Sequence, residues 1–242
     1  MEPKDVLIRC SSLGALMTQP KTKAAQEAGE LSETAKGVIE DIFLQMEYGY
    51  REDIITDAMT KGIMCEQDSI QLVQQVIGGE FRLKNKENFK NTHIMGTPDI
   101  ILKNDDYIED TKTAWNLKTF FNSELSKDNW WQGQGYMELT GKRKCRIIYC
   151  LVATPPEIIL DMQKRVYYKF NYDEENPTYQ AICEQIARNN DFSKIPAEHR
   201  IKVFEFAYDQ DAILKMYVQV ERARKYYATL TLNAHKNEYR LN

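Results

Sequence analysis

The stretch from Gly96 to Lys112 constrains the fold of this chain more than any other. Gly96-Thr97-Pro98-Asp99-Ile100-Ile101-Leu102 and Tyr107-Ile108-Glu109-Asp110-Thr111-Lys112 are two β-rich runs, and Asn104-Asp105-Asp106 between them is turn-forming. The pattern predicts a β-hairpin. Alternate residues of a strand share a face, so Ile108, Asp110 and Lys112 project together while Glu109 and Thr111 point away. Asp99, near the start of the partner strand, then comes close to Asp110. Two carboxylates and an ammonium gathered there suit a divalent cation and a phosphate. Hard cations take oxygen ligands, and a lysine stabilises negative charge on a phosphoryl centre. Surface hairpins are rich in Asp and Lys, so the neighbouring segments decide what the pattern means.

The rest of the composition narrows the chemistry. At 242 residues the chain can bury a substantial core, as one domain or as one domain with a helical appendage. No apolar run approaches membrane-spanning length, so no membrane association is expected. Met1-Glu2-Pro3-Lys4-Asp5 lacks the basic and apolar regions of a secretory signal, and a cytoplasmic protein is expected. The five cysteines (Cys10, Cys65, Cys145, Cys150, Cys183) are scattered with no CxxC pair, which argues against a zinc ribbon or iron–sulfur cluster. The three histidines (His93, His199, His235) are equally dispersed. Any metal should therefore sit on carboxylates. A net charge of −4 argues against nonspecific coating of nucleic acid. Basic clusters at Lys142-Arg143-Lys144 with Arg146, and at Arg222, Arg224 and Lys225, keep a local contact open.

Helices and strands alternate along the sequence. Val6 to Cys10 is a short apolar run leading to Ser11 and Ser12, either of which could cap a short helix ending before Pro20. Lys21 to Glu30 reads as a polar connector. Ser32 caps a predicted helix whose Val38, Ile42 and Met46, widened by Ile39 and Phe43, form a packing stripe, with Gly49 near its end. A second helix is predicted from about Asp53 to Ile77, with Met59, Ile63, Ile70, Val73 and Ile77 as its buried stripe. Glu66 falls inside that stripe, where a carboxylate is costly unless paired, protonated or bound to a cation. Gly78-Gly79 stops this helix, and Glu80 to Leu83 and Asn91 to Met95 read as strand material.

Beyond the hairpin, Thr113 to Phe121 is an apolar connector. Lys127 to Leu139 is a predicted helix that places Gln132 and Tyr136 on one face. Its Gly133 and Gly135 each cost roughly 1 kcal/mol relative to alanine, which points to a close approach by a backbone or a ligand. Cys145 to Val152 is a buried strand ended by Pro155-Pro156. Ile158 to Lys169 fits strand or helix. Tyr179 to Ala187 reads as helix, Lys202 to Ala207 as strand and Asp209 to Leu230 as a closing helix. This alternation argues for an α/β or α+β domain with a mixed sheet.

Glu66, Asp99 after Gly-Thr-Pro, Asp110-x-Lys112 and Gln132-x-x-x-Tyr136, in that order, resemble the PD-(D/E)xK nuclease superfamily. More narrowly they look like the lambda-exonuclease or YqaJ-type viral recombinase family, as do Ile8-Arg9-Cys10-Ser11-Ser12-Leu13 and Lys61-Gly62-Ile63-Met64-Cys65-Glu66. The resemblance runs from about residue 6 to about residue 230. It implies a restriction-endonuclease-like α/β (α+β) core, with a mixed central sheet flanked by helices. A single nuclease domain over residues 1–242, helical near its N-terminus, is implied as well.

For the site, the resemblance implies that Glu66, Asp99, Asp110 and the backbone carbonyl of Thr111 ligate Mg²⁺ or Mn²⁺. Lys112 would position or activate the attacking water, or steady the charged phosphorane. Gln132 and Tyr136 would orient the site and touch the DNA backbone. Many relatives carry Glu where this chain has Asp110; Glu109 is adjacent but faces the other side. Asp105 or Asp106 could lend an outer carboxylate. Arg9 and Ser11 would form a pocket for a 5′ phosphate. The implied activity is that of a phage or prophage alkaline exonuclease, digesting one strand of linear duplex DNA from a 5′ end. It would leave a 3′ overhang for a single-strand annealing recombination protein, and a homotrimer is implied. The competing readings are a restriction- or repair-type endonuclease of the same superfamily, and a module that binds DNA without cutting it.

Overall fold

The computed structural model describes residues 2–52 and 54–231, so Asp53 and His235 lie outside the described residues. In chain order the elements are β1 (Ile8–Arg9), α1 (Leu13–Leu16), α2 (Lys23–Glu27), α3 (Glu33–Tyr48), α4 (Asp57–Met64) and α5 (Glu66–Ile77). Then come β2 (Phe89–Lys90), β3 (Ile94–Gly96), β4 (Ile100–Ile101), β5 (Tyr107–Thr113), α6 (Leu117–Phe121) and α7 (Lys127–Thr140). The chain closes with β6 (Lys144–Cys150), α8 (Pro156–Phe170), α9 (Pro177–Asn190), β7 (Ile201–Ala207) and α10 (Gln210–Tyr227).

The expected hairpin forms the edge of the larger sheet, whose strand order is β4-β5-β6-β7. β4 runs antiparallel to β5, β5 parallel to β6, and β6 antiparallel to β7, so the sheet is mixed as expected. β6 is the buried strand of the apolar run, and its two faces serve two cores. Cys145 and Ile147 join Ile108, Tyr136 and Met137 under α7, whereas Ile148 and Cys150 pack with Leu72 and Val73 of α5. Asp110 lies opposite Ile147 and Lys112 opposite Tyr149, which puts both polar side chains on the α7 face. A smaller sheet, β1-β3-β2, pairs Arg9 with Met95 and carries the chain back to the hairpin.

Helix α7 sits flush on its neighbours because of its glycines. A Cβ at Gly133 would lie 2.6 Å from Phe206 and 2.8 Å from Cys145, and one at Gly135 would lie 2.6 Å from Leu13 and 2.9 Å from Cys10. The close approach at these positions is thus made by core side chains, not by the backbone or ligand that the sequence led one to expect. Helix α3 begins at Ser32, whose hydroxyl accepts from Ala35 N, and ends at Gly49 in the left-handed region at φ 65°. Its Ile39 is buried, but Met46 is exposed.

Several expectations are corrected. The helix predicted to continue through Ile77 is two helices, broken at Cys65 (φ −97°, ψ 8°). Met59 and Ile63 do not extend a buried stripe, being 52% and 74% exposed. What α4 buries is Lys61, which donates to Trp115 O at 2.9 Å and lies over the Trp115 and Phe192 rings. Burial pushes the Lys61 ammonium down to about 8. Glu66 therefore does not interrupt a stripe; Ile63 and Ile70 lie on different helices. It opens α5, where the helix dipole favours a carboxylate.

Neither Ser11 nor Ser12 caps α1 through its side chain. The connectors hold short helices: α2, capped by Thr22, and α6, closed by a capping box between Asn116 and Thr119. Glu80 to Leu83 is not strand but irregular chain, and the Ile158 to Lys169 segment is helical within α8.

Candidate active site

The hairpin register, with Ile100 opposite Glu109, sets Asp99 level with Asp110. Asp99 Oδ2 accepts from Thr111 N at 2.9 Å and from Thr111 Oγ1 at 3.4 Å, which fixes its carboxylate against β5. Asp110 is 2% exposed. Its Oδ2 lies 2.6 Å from Lys112 Nζ, an ionic contact whose angles do not make a hydrogen bond, and it has no hydrogen-bond partner. Burial raises the Asp110 carboxyl from its ordinary value near 3.8 to about 6; Lys112 pulls it back down, and the nearby Asp99 charge pushes it up again. For Lys112, burial lowers the ammonium value, but the charge and contact of Asp110 more than restore it, and the lysine stays cationic.

Gln132 links these groups to the next. Its Oε1 accepts from Lys112 Nζ at 3.1 Å, and its Nε2 donates to Tyr136 Oη at 2.8 Å and, more distantly, to Asp110 Oδ1 at 3.5 Å. The four-residue spacing on α7 is what brings Gln132 and Tyr136 together. Burial raises the Tyr136 phenol, which keeps its proton. Tyr136 in turn lines a pocket of about 330 Å³ together with Arg9, Ser11, Asn88, Met95 and Thr97. Arg9 reaches it because β1 pairs with β3, and Asn88 Nδ2 donates to Thr97 Oγ1 at 3.1 Å.

Sequence reasoning missed Lys84. Its ammonium forms an ion pair with Glu66 and another with Asp99 Oδ1, the latter at 2.7 Å. Partial burial lowers the Lys84 value, yet the hydrogen bonds to Asp99 and Glu66 raise it overall. The acids are thus split between two cations: Glu66 and Asp99 meet at Lys84, and Asp110 meets Lys112. Among the described residues no group of three or more His, Cys, Asp and Glu is drawn close enough to hold a metal ion. The donor set is nevertheless all oxygen, and Asp110 Oδ2 is a buried acceptor without a hydrogen bond. Those properties fit a hard divalent cation such as Mg²⁺ or Mn²⁺ better than zinc.

Two expected contributors stand elsewhere. Asp106 Oδ1 accepts from Arg143 N at 3.0 Å, and Asp105 Oδ1 accepts from Asp106 N at 2.7 Å, so the turn acids serve the turn. Glu109 does face away from Asp110, as expected. It is fully buried and receives Arg82 at 2.5 and 3.0 Å and Arg146 at 3.2 Å. Arg82 was also missed, and it anchors the segment that carries Lys84.

No family model matches the sequence, and no curated protein does. Solved structures do. A phage-related exonuclease from Haemophilus somnus 129PT matches at 27% identity and a TM-score of 0.71, covering 92% of this chain and 94% of its own. An alkaline exonuclease from Laribacter hongkongensis matches at 13% identity and a TM-score of 0.61, over 93% of this chain and 89% of its own. The chain is thus similar over nearly its whole length to phage-type exonucleases, in line with the resemblance to the lambda-exonuclease family. The Laribacter enzyme also matches in a structure with dAMP, at 13% identity and a TM-score of 0.60. Among the family motifs read from the sequence, the Asp110-x-Lys112 pair and the Gln132-x-x-x-Tyr136 pair share one hydrogen-bonded group here.

Proposed function

We propose that this protein is a divalent-metal-dependent exonuclease of phage type, hydrolysing phosphodiester bonds of linear double-stranded DNA from a 5′ end and leaving a 3′ overhang. The observation that carries this reading is the continuous path from Lys112 through Gln132 to Tyr136, which joins the acid cluster to the pocket of Arg9 and Ser11. A terminal phosphate suits that pocket, since an arginine and hydroxyls bind phosphate oxygens without reading bases. The Haemophilus neighbour supports exonuclease chemistry, and dAMP in the Laribacter enzyme is the kind of product such digestion releases.

Glu66, Asp99 and Asp110, with the Thr111 carbonyl, would hold Mg²⁺ or Mn²⁺. When bound, such an ion lowers the pKa of water and offsets charge on the phosphoryl oxygens. Lys112, cationic and held by Asp110 and Gln132, orients the attacking water and stabilises the crowded negative charge at phosphorus. Gln132 holds Lys112 and Tyr136 in register, and Tyr136 keeps its proton to donate to a phosphate oxygen. The 3′ overhang would pass to a single-strand annealing protein. A homotrimer is the proposed assembly, supported by an apolar strip of Ile54, Ile55, Met59 and Ile63, each between 52% and 74% exposed, which a neighbouring copy would cover. Sedimentation velocity tests the trimer, and a monomer at micromolar concentration overturns it.

The deciding experiment uses linear duplex labelled at either end, beside a covalently closed circle, with Mg²⁺ present. Release of mononucleotides from the 5′ label with the circle intact is expected. Cutting of the circle would instead assign an endonuclease, and release from the 3′ label would reverse the polarity.

A further inference from the structure

Lys84 is a second cation beside the acids, next to Lys112, and no motif of the sequence accounts for it. Its ammonium stands between Glu66 and Asp99, which belong to different elements: Glu66 opens α5, and Asp99 precedes β4. The backbone on either side of Lys84 is pinned. Arg82 N donates to Gln74 Oε1 at 2.9 Å, its guanidinium grips Glu109 and Gly78 O, and Asn85 N donates to Asp99 O at 2.7 Å. The side chain itself is 28% exposed and crosses to the acids on a flexible four-carbon stem. Its head can therefore leave the acids while the chain that carries it stays in place.

We propose that Lys84 is a tethered counter-ion for the metal site, holding Glu66 and Asp99 together in the metal-free protein and competing with the divalent cation for them. The proposal rests on the reading of Glu66 and Asp99 as metal ligands. The physics is a matter of charge. Two carboxylates this close repel unless a cation stands between them, and an ammonium supplies one charge where a divalent ion supplies two. An ion that binds there gains both carboxylates but must first displace Lys84. Removing the ammonium eliminates that competition and leaves an acid pair that repels itself until metal arrives. Both effects strengthen metal binding and weaken the metal-free fold.

The test is Mn²⁺ binding by the full chain, read by the free-ion electron paramagnetic resonance signal, alongside thermal melts in chelator and in saturating Mn²⁺. Lys84→Gln is expected to bind Mn²⁺ about three- to tenfold more tightly than wild type, the scale set by partly exposed ion pairs. It should melt lower than wild type in chelator and match it in Mn²⁺. Lys84→Arg, which keeps the charge, should stay near wild-type affinity and guards against a misfolded glutamine variant. Unchanged or weaker Mn²⁺ binding by Lys84→Gln, while Asp110→Asn loses affinity, overturns the counter-ion role and leaves the metal site standing. The same unchanged Mn²⁺ affinity, with a shallower salt dependence of duplex binding in Lys84→Gln, reassigns the residue to a DNA phosphate and also overturns it. No Mn²⁺ binding by wild type removes the metal-site reading itself.

Discussion

Glu109 and Asp110 are neighbours in one strand, both sealed from solvent, and the two faces of β5 treat them in opposite ways. Glu109 is closed on three sides by guanidinium contacts from Arg82 and Arg146, and Arg146 continues to Glu205 at 3.1 Å. Asp110 has a single ammonium at an angle that leaves one oxygen without a hydrogen bond, and a distant amide on the other. A buried charge with its partners complete holds structure together. One left incomplete keeps capacity for a ligand, and its raised proton affinity records the cost.

Substitutions can break that contrast one face at a time. The largest effect belongs to the open face: Asp110→Asn or Lys112→Ala should lower digestion of linear duplex by at least about a thousandfold, the scale of losing metal or oxyanion stabilisation. Circular dichroism should show the fold intact in both, and normal turnover in either would remove that face from the chemistry. Next is the closed face. Glu109→Gln strands two guanidiniums and should cost about 3–5 kcal/mol in denaturant melts, as breaking a buried ion pair does.

A smaller effect is the pH response of the metal-free protein. The Asp110 value is raised on folding, so its stabilising contribution is full below about pH 3.8 and is lost as the pH climbs through about 6. Melting curves in chelator should therefore fall over that window relative to Asp110→Asn, whose profile lacks this slope. Parallel profiles would show that Asp110 titrates normally. The mildest change is Tyr136→Phe, which deletes the acceptor of Gln132 Nε2 and should slow turnover by roughly three- to tenfold, in line with one hydrogen bond. An unaltered rate would detach the pocket from the acids.

The same contrast explains what could be seen in the sequence. Period-two alternation put Glu109 and Asp110 on opposite faces, and four-residue spacing put Gln132 beside Tyr136, because both rules depend only on local backbone geometry. The mixed sheet followed from strand-rich runs between helical ones. The break at Cys65 was invisible because apolar spacing on either side of it happened to stay in phase. Burial of Lys61 with no carboxylate partner among the described residues follows from tertiary packing and from no local pattern. Arg82 lies in irregular chain that reads as strand and Lys84 just beyond it, and their partners, Glu109, Glu66 and Asp99, are 27, 18 and 15 residues away. A basic residue in an alternating run near a solitary acid was a signal, but only tertiary contact gives it meaning.

The seating of α7 carries a consequence for the side chains it presents. With Gly133 and Gly135 pressed against Phe206 and Leu13, the helix has no room to slide or lift, and Gly96 is held as closely by Tyr136, at 2.7 Å from a Cβ placed there. The positions of Gln132 and Tyr136 on that helix are then held by the methyl groups that Gly133 and Gly135 lack. An alanine at Gly135 would drive a methyl into Leu13 and Cys10, an overpacking that costs about 1–3 kcal/mol and tilts the face carrying Gln132 and Tyr136.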